Sequence, residues 1–521
     1  MTGYRMAGYQ YLLEIDALNG SGVAVTLRFC CQPGYTGGGF TWQPYIVDAG
    51  LYQVDLFTGG KTTGPSSNSY GEIIIGNLKN AVDTTGPTDY LKPYQFYGRA
   101  VRMYWGLQNA AFPSGFTQGY AAIIETPTFS WDTITLPLRG QQKLLDQPFD
   151  PSGKFAGDNI LPNGFEGGLE LVGKQKPLLW GRCSNMTPIC VNTSKLIYTV
   201  SPAYGNDVAG LNAELHVYDN GVELFRGSLT GPIEAMEPLP GQFTADGVFI
   251  RLGSPPQGQI TVSAVSMGMG MIANAGPLLN VFIHSWLPEF ASSFTDSDTA
   301  AYSVFERYER GLYVTDGNTT KANILDQLLA PLGWFYFNNK GNMRIGHLSD
   351  PATMTSVYTL NSTVNIESIN FKPTEDTNGG VPANTITMKY GRNYTVQTAA
   401  QLAGSVLPDK KLLLGTEWKS AFDGGTLTDN PLKDEMIFET SFNGSAPGVF
   451  NVLKTLYQVQ REIVEIQIAK IEFLAALVAI TPGCCVTVNL TGRFGYTAKK
   501  MIVIGITVNF TESTVSIRAW G

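Results

Sequence analysis

The chain has 521 residues, too many for a single hydrophobic core, and its hydrophobic fraction of 43% is that of a globular protein, which excludes wholesale disorder. Only 15% of the residues are charged, against roughly 25% in a typical soluble domain. A surface poor in charge is typical of a protein that partners cover. The net charge is −8 and no basic run is present, so we expect no specific nucleic-acid binding. If copies of the protein surrounded a channel, its acidic lumen would let DNA slide past.

One segment raises the possibility of membrane insertion. Residues 252–288 contain no Asp, Glu, Lys or Arg, and a stretch of that length could span a bilayer. Several glycines, Asn274 and Pro277 interrupt it, so we predict a buried linker and strand and no stable membrane insertion. The N-terminus lacks the basic start and apolar core of a signal peptide, which favours assembly in the bacterial cytoplasm.

The cysteines predict neither a metal site nor a cofactor. They show no CxxC spacing and no neighbouring histidine, so metal binding is not expected. Adjacent residues of a strand point to opposite faces, and each adjacent pair is therefore expected to place one thiol inside and one outside. The six cysteines are Cys30, Cys31, Cys183, Cys190, Cys484 and Cys485.

Residues 1–150 are predicted to form an N-terminal β-rich domain. Val23, Val25 and Leu27 alternate with small or polar neighbours, which is the period-two pattern of a half-buried strand. Loops rich in Gly, Ser, Pro and Thr separate similar short runs. Further strands are expected at 52–57, 72–75, 100–105 and 133–138.

Residues 151–280 are predicted to form a β-sandwich domain. Asn220-Gly221 supplies the two positive-φ residues of a tight hairpin turn, and His216 and Leu224 lie in the flanking strands. Further strands are expected at 196–200, 247–252 and 259–265.

Helices are predicted only in residues 281–521. Tyr302, Phe305 and Tyr308 recur at threefold spacing and predict a helix at about 299–310. An N-cap at Thr319 or Thr320 precedes an apolar stripe and predicts a helix at about 320–330, and a further stripe predicts one at about 448–460. We therefore predict a mainly β, multi-domain protein with β-sandwich and β-barrel-like domains and a few C-terminal helices. Strands are expected there at 334–337, 343–348, 464–468, 486–490, 501–510 and 514–520.

No motif predicts catalysis. The histidines His216, His284 and His347 are expected in strands, outside any HExxH or other metal-ligand spacing, and neither a GxSxG elbow nor a phosphate-binding loop is present. Carboxylates from distant loops could still converge, as they do in glycan-cleaving enzymes. The commoner role of such an acid is to stabilise a turn. We predict no enzyme, with no catalytic, cofactor-binding or metal residues. The nearest carboxylate candidates are Glu166 with Glu170, and Asp146 with Asp150.

Several motifs suggest a family. The C-terminal segment contains a PG-x-x-V-x-V strand entry, an R-x-G turn, a V-x-G-I strand and a final Trp-Gly, and NILDQLLAPLGWFYFNNKGNMRIGHL and residues 390–403 precede it. These segments resemble the tail-tip and baseplate-hub proteins of long-tailed, siphovirus-type bacteriophages and related prophages. The segment from Phe155 to Asn192 is similar to a Gly- and Pro-rich block of prophage tail proteins. The residues that carry the resemblance are Leu161, Pro162, Gly164, Glu166, Gly167, Leu171, Gly173, Lys176, Pro177, Gly181, Asn185, Pro482, Gly483, Val486, Val488, Arg493, Gly495, Val503, Gly505, Ile506, Trp520 and Gly521.

The resemblance implies a structural subunit of the virion, located at the tail tip. Hub subunits of this family form a closed ring, usually a trimer, that ends the tail tube and connects it to fibres or receptor-binding proteins. It therefore implies a homo-oligomer with distal-tail or tube proteins and fibres as partners. Some relatives carry an iron–sulfur cluster on four cysteines, or a peptidase or lysozyme module, and this sequence shows neither arrangement.

Other functions stay open. A hexameric distal-tail ring would differ from the hub in symmetry, and a carbohydrate-binding adhesin would contact the host surface through exposed aromatic side chains of residues 151–280. A cell-wall hydrolase is the third class. In a ring of subunits, neighbouring copies would pair the exposed strand edges. Aromatic clusters would anchor the interfaces between subunits, unless each aromatic side chain packs inside its own domain. The candidate interface anchors are Tyr94, Phe96, Tyr97, Tyr104 and Trp105.

Overall fold

The computed structural model describes residues 9–77, 86–150, 153–161, 163–201, 214–265, 275–291, 308–377, 382–424, 434–491 and 494–521. Over these residues the protein is mainly β, with several separate sheets and few helices, which confirms the predicted fold class. The chain divides into two compact units that alternate along the sequence. The first unit takes its residues from 1–145, 333–382 and 455–521, and the second from 146–332 and 383–454. A partition into domains 1–150, 151–280 and 281–521 stays a prediction.

The N-terminal segment consists of short strands, as predicted, and one short helix. The alternation at Val25 and Leu27 corresponds to a strand, whereas the strands that begin at Tyr9 and at Phe116 were not predicted. In chain order the elements are β1 (Tyr9–Leu18), β2 (Ala24–Cys30), β3 (Thr36–Gly37), β4 (Phe40–Thr41), β5 (Ile46–Asp48), β6 (Leu51–Asp55), β7 (Ser67–Ser69), β8 (Glu72–Gly76), α1 (Pro87–Leu91), β9 (Ala100–Leu107), β10 (Phe116–Ile124), β11 (Thr128–Phe129) and β12 (Thr133–Arg139).

The middle segment contains the predicted hairpin. Asn220 and Gly221 have φ values of 55° and 80°, and they connect two strands that pair through Asp219 and Val222, as a turn with two positive-φ residues requires. The elements are β13 (Leu178–Met186), β14 (Ile189–Asn192), β15 (Ile197–Thr199), β16 (His216–Asp219), β17 (Val222–Glu223), β18 (Phe225–Arg226), β19 (Gln242–Asp246), β20 (Phe249–Leu252), β21 (Ile260–Val265), α2 (Ala275–Trp286), α3 (Pro288–Ala291) and β22 (Gly311–Val314).

The C-terminal segment confirms two predicted helices. Thr320 caps the first, and its apolar stripe, Ile324, Leu325, Leu328 and Leu329, is buried. The elements are α4 (Lys321–Leu329), β23 (Gly333–Phe337), β24 (Met343–His347), β25 (Ser356–Asn361), β26 (Ile366–Pro373), β27 (Thr385–Tyr390), α5 (Pro408–Leu414), β28 (Lys419–Gly424), β29 (Glu435–Glu439), α6 (Pro447–Tyr457), β30 (Glu462–Ile468), α7 (Phe473–Ala479), β31 (Cys485–Asn489), β32 (Lys499–Asn509) and β33 (Thr514–Trp520).

The region before β22 contains a helix that the sequence did not predict. The charge-free stretch was predicted as linker and strand, and this is wrong for 275–286, which form helix α2; His284 therefore lies on a helix. Leu278, Leu279, Phe282 and Ile283 of α2 are buried, and because no charged residue marks an outer face, the helical period was not evident in the sequence. The predicted helix at 299–310 lies mostly outside the described residues, and 308–310 are not helical.

The two pairs of adjacent cysteines differ in how deeply their thiols are buried. Cys30 and Cys31 are both buried, so the expectation of one inward and one outward thiol is wrong for this pair. Cys31 directly follows β2 and so lies beyond the regular alternation, where its Sγ accepts a hydrogen bond from the amide of Tyr11 at 3.3 Å. In the second pair Cys485 is buried and Cys484 is half-buried.

The first unit contains two sheets of eight strands each. One has the order β2-β1-β9-β10-β12-β8-β5, and β11 pairs with β12 at its side. The other has the order β25-β31-β32-β33-β30-β26, and β6 and β7 extend it from β32. Strand β32 is central because its first half pairs with β31, its second half pairs with β6, and β33 runs along its other side. The N-terminal and C-terminal segments therefore share one sheet.

A chain of aromatic rings forms the core of this unit. Tyr52 and Tyr70 have ring centroids 5.7 Å apart, and Tyr70 is likewise 5.7 Å from Tyr120. Tyr120 contacts Phe510 at 5.9 Å, and the contacts continue through Phe473 to Trp105. Edge and tilted ring pairs of this kind add stability beyond the area they bury. The rings come from both large sheets, so they join the two sheets into one core.

The second unit contains a β-sandwich. One sheet has the order β17-β16-β21-β13-β22 and the other β14-β15-β20-β19-β18. Val217 and Val262 of the first sheet belong to the same buried cluster as Phe243 and Ile250 of the second. The shared cluster shows that the two sheets pack face to face. Helix α2 adds Phe282, whose ring lies 5.4 Å from that of Trp180 in β13.

The indole of Trp334 explains two glycines of the C-terminal motifs. Trp334 of β23 lies opposite Gly346 of β24, and a Cβ atom on Gly346 or on Gly483 would overlap the indole ring. Gly483 also has a φ of 85°, which disfavours any residue with a Cβ atom. Gly346 and Gly483 therefore make room for the half-buried indole of Trp334.

We expect Gly483→Ala to destabilise the first unit by about 2–5 kcal/mol, because it combines left-handed strain with overpacking against Trp334. Gly495→Ala is the matched control, since Gly495 has a φ of 67° and no heavy atom within 4 Å of its Cβ position. The control should cost about 1–2 kcal/mol. Urea unfolding measures both changes, and equal losses would contradict the packing role of the indole.

An ion-pair network covers the outer part of the first sheet. Glu14 of β1 lies opposite Arg28 of β2 and Arg102 of β9, and its carboxylate contacts them at 3.1 and 3.4 Å. Arg102 also binds both oxygens of Asp16, at 2.9 and 3.0 Å. Burial raises the pKa of Asp16, but the hydrogen bonds and charge of Arg102, together with Thr26, outweigh burial and hold that pKa below its ordinary value.

The Asp16 pairing should make stability depend on pH. A carboxylate whose pKa is lower in the folded chain stabilises the fold above its unfolded-state pKa, and this contribution is lost as the pH falls through the folded-state pKa. We expect wild type to exceed Asp16→Asn in urea midpoint at pH 7, and the difference to shrink below about pH 4. Asp132→Asn, at an exposed carboxylate that no described cation contacts, should show no such difference. A gap that persists at pH 2 would refute this assignment.

Candidate interface and ligand-binding sites

The five predicted aromatic anchors have different environments, all within the first unit. Phe96 and Trp105 are buried, whereas Tyr97 is 64% exposed. Tyr94 and Tyr104 are half-buried, and the ring of Tyr104 packs edge-on against that of Phe112. The guanidinium of Arg139 lies 5.7 Å from the ring centroid of Tyr97. Tyr97 is therefore the anchor that a partner could contact without disturbing the core.

The histidines each have a local partner. His216 pairs with Glu223 at 2.6 Å, and Nδ1 of His284 lies 3.0 Å from the carbonyl of Asn280. His347 contacts Ser349, and burial lowers its pKa. Within the described ranges, no group of three or more His, Cys, Asp or Glu could hold a metal ion. The absence of enzymatic activity remains a prediction.

Glu166 stabilises a turn of the motif block. Its carboxylate accepts hydrogen bonds from the Ala156 amide at 3.0 Å and from Lys176 Nζ at 2.7 Å. Burial raises the pKa of Glu166, and the Lys176 ammonium outweighs this effect and keeps the pKa below its usual value. Glu170 accepts the Gly168 amide at 3.1 Å, and Asp150 accepts the Gln175 side chain. These contacts give the three acids turn-stabilising roles.

Two motif segments meet at Asn185 in the second unit. The Asn185 amide, on β13, donates to Asn393 Oδ1 at 2.8 Å and to the Thr395 carbonyl at 2.6 Å, and Gln397 Oε1 lies 3.4 Å away. Asn393 then donates to the carbonyls of Leu414 and Thr416. The block 155–192 and residues 390–403, which are far apart in sequence, are therefore joined by one buried amide cluster, Asn185, Asn393 and Gln397.

A cavity of about 210 Å³ adjoins this amide cluster and lies within the second unit. Its walls include Asn185, the rings of Tyr218 and Trp418, and the cationic side chains of Arg182, Lys410 and Lys419. No acidic side chain lines this cavity in the part of the chain that the structure describes. Polar and aromatic groups that converge on a concave space are typical of a ligand site.

A second cavity, of about 380 Å³, has a different lining. Trp418 and Arg392 contribute to it, and so does Asp326 of α4. Burial raises the pKa of Asp326 to about 6. Arg392 pairs with Glu417 at 3.1 Å, so its charge is compensated.

One sheet of the second unit exposes apolar side chains on its outer face. Its order is β28-β27-β29, and the register places Phe422, Thr387 and Ile437 in one row across the three strands. Phe422 is 73% exposed and Ile437 is 53% exposed. Ile386, Met388, Met436 and Phe438 of the same strands are buried. We call the row Phe422, Thr387 and Ile437 the outer face.

Sequence reasoning did not identify the cavity or the outer face. Asn185 was named only as a motif position, and Phe422 and Ile437 were not singled out. The alternation around Ile386 and Met388 could have indicated a strand, but with large apolar residues on both faces of the sheet it does not say which face is exposed.

No helix among the described residues is long and apolar enough to cross a membrane.

No protein-family model and no curated protein matches this chain. Solved structures similar to it include the tail protein from Neisseria meningitidis MC58, at 9% identity over 99% of this chain and 97% of that one, with a TM-score of 0.40. Others are the 43 kDa tail protein of prophage MuSo2 from Shewanella oneidensis (9% identity, 98% and 97% covered, TM-score 0.38) and the prophage tail protein gp18 from Listeria monocytogenes EGD-e (8%, 98% and 94%, TM-score 0.40). At these identities and scores, the similarity decides neither family nor function.

Asn185 offers a test of the amide cluster. It has a φ of 54°, so Asn185→Gly relieves the backbone while it removes the side-chain hydrogen bonds. We expect a loss of about 2–4 kcal/mol in the free energy of unfolding, because Asn393 and Gln397 would be left with unmet hydrogen bonds. The matched control is Asn109→Gly, at an exposed turn with a φ of 71°, and it should change stability by less than about 1 kcal/mol. Equal, small effects of both variants would contradict the structural role of Asn185.

Proposed function

We propose that this chain is a structural subunit of a bacteriophage tail, and specifically of the tail tip, where a ring of copies acts as the hub that closes the tail tube and connects it to fibres or receptor-binding proteins. The observation that carries the proposal is the outer face of the β28-β27-β29 sheet, which exposes Phe422 and Ile437 between two strand edges that no described strand pairs. The resemblance of the sequence motifs to tail-tip and hub proteins supports a ring-shaped hub as the kind of assembly.

Unpaired strand edges are a liability in a free monomer. Among the strands that the structure describes, β28 and β29 each pair only with β27, and β25 and β26 end the second large sheet of the first unit. Such edges and exposed apolar rows invite pairing with other chains unless charges or covering segments block them. Lys389 and Glu439 pair with each other at the border of the outer face, and the exposed Phe422 and Ile437 lie on either side of Thr387. A ring in which neighbouring copies cover these edges removes the liability.

The low charge of the chain agrees with this role. With 15% charged residues and a net charge of −8, the protein has neither the basic surface that binds nucleic acid nor a strongly charged exterior. An acidic ring lumen would let DNA pass without holding it. We further propose that the protein works without a cofactor and without catalysis.

Two alternatives give different observations. A hexameric distal-tail ring would use the same outer face with sixfold symmetry, whereas the hub is expected to be a trimer. A carbohydrate-binding adhesin receives support from the cavity beside Asn185, whose walls combine aromatic rings, amides and cations.

The assembly can be tested with the purified full chain. We expect light scattering after size-exclusion chromatography to give a closed homo-oligomer, and averaged electron micrographs to show threefold symmetry. Phe422→Glu should shift the population to monomer, because it puts a charge at the most exposed apolar position of the outer face. Tyr97→Glu tests the exposed aromatic anchor of the first unit in the same way.

Trp131→Glu is the matched control, since Trp131 is 87% exposed in a turn and its change should leave the oligomer intact. Circular dichroism of each variant verifies that the fold is kept. A wild-type protein that stays monomeric at all concentrations would overturn the ring, and turnover of peptidoglycan by the wild type would overturn the non-catalytic role.

A further inference from the structure

The cavity beside the amide cluster has an unbalanced charge. Arg182, on its wall, pairs with Glu309 at 2.8 Å and with Glu214, so its charge is compensated. Lys410 and Lys419 also line the cavity, and among the described residues no carboxylate lies within ion-pair distance of either ammonium group. In a chain with a net charge of −8, two uncompensated lysines on one cavity attract an anion.

The amide wall has unmet hydrogen bonds. Oδ1 of Asn185 and Nδ2 of Asn443 are buried and have no hydrogen-bond partner in the part of the chain that the structure describes, and both residues line the cavity. Asn185 is only 4% exposed. A buried polar atom left without a partner is costly, and such atoms in native proteins call for an explanation such as a bound polar molecule.

Aromatic rings complete the lining. Trp418 and Tyr218 face the cavity, and Lys410 Nζ lies 4.4 Å from the ring centroid of Tyr218. Side chains of this kind present flat apolar surfaces next to a polar edge. At about 210 Å³ the space is below the roughly 300–1,000 Å³ of pockets for drug-sized ligands, so it suits one small ring rather than a long chain.

From these contacts we propose that the cavity of the second unit binds one acidic saccharide unit. Lys410 and Lys419 hold the acid group, Trp418 and Tyr218 contact the sugar ring, and the amide wall around Asn185 receives hydroxyl groups. The ligand class is a hydroxylated ring that carries an anion, as found in acidic surface polysaccharides. This inference concerns binding by the single chain and does not depend on ring assembly.

Saturation-transfer NMR and calorimetry with the full chain can test this site. Glucuronate carries both ring and charge, glucose carries the ring alone, and inorganic phosphate carries the charge alone. We expect glucuronate to bind with a Kd of about 1 mM and at least about fivefold more tightly than glucose or phosphate, since each charge-assisted contact adds a modest increment.

The double variant Lys410→Gln with Lys419→Gln should weaken glucuronate binding about fivefold or more, and Trp418→Ala should reduce saturation transfer to the ring protons. The matched control is Lys92→Gln with Lys340→Gln, which removes the same charge from exposed positions of the first unit and should leave affinity unchanged. No glucuronate binding, an equal effect of the control, or phosphate binding as tight as glucuronate would each overturn the proposal. Circular dichroism separates loss of binding from loss of fold.

Discussion

The backbone pairing of strand β32 is the constraint on which the first unit depends. This strand receives β31 and β33 from its own end of the chain and β6 from the first sixty residues. Ile506 pairs with Val54 on one side and with Ile517 on the other, and all three side chains are buried. Both faces of β32 are buried over 501–506, so a shift by one residue would exchange the side chains that pack on its two faces. The register of β32 therefore also sets the position of the N-terminal segment.

Side-chain contacts then reinforce what the backbone ladder establishes. Tyr11 bonds to Ser513 at 2.9 Å, and Thr511 bonds to Asp48 at 2.8 Å, so the turn after β32 is linked to both ends of the N-terminal sheet. The aromatic chain from Tyr52 to Trp105 passes through Phe510 in the same turn. The high aromatic content therefore serves the core of this unit first, and only Tyr97 among the predicted anchors stays exposed.

In the second unit, buried polar groups join segments that are far apart in the sequence. Its two motif segments are joined by Asn185, Asn393 and Gln397, whose amides bond to one another and to backbone carbonyls in a buried setting. Buried amides are stable only when most of their hydrogen bonds are made, and this requirement places residues 390–397 against β13. The cavity and its lysines follow from that placement, because α5 carries Lys410 and the strand after it carries Lys419.

Local patterns were sufficient for elements whose signals lie within a few residues. The Asn220-Gly221 turn, the Thr320 cap, helix α4 and strand β33 follow from turn chemistry, capping and alternation, which act over one or two turns of chain. Other features depend on contacts between distant segments. These are the strands that flank β32, the space that Gly346 and Gly483 leave for Trp334, and the contact between Asn185 and Asn393. Helix α2 was missed because its stretch carries no charge to mark an outer face. Contacts between distant segments also decide that Phe422 is exposed and Trp105 is buried, because the strands that pack on a residue are remote from it in the sequence.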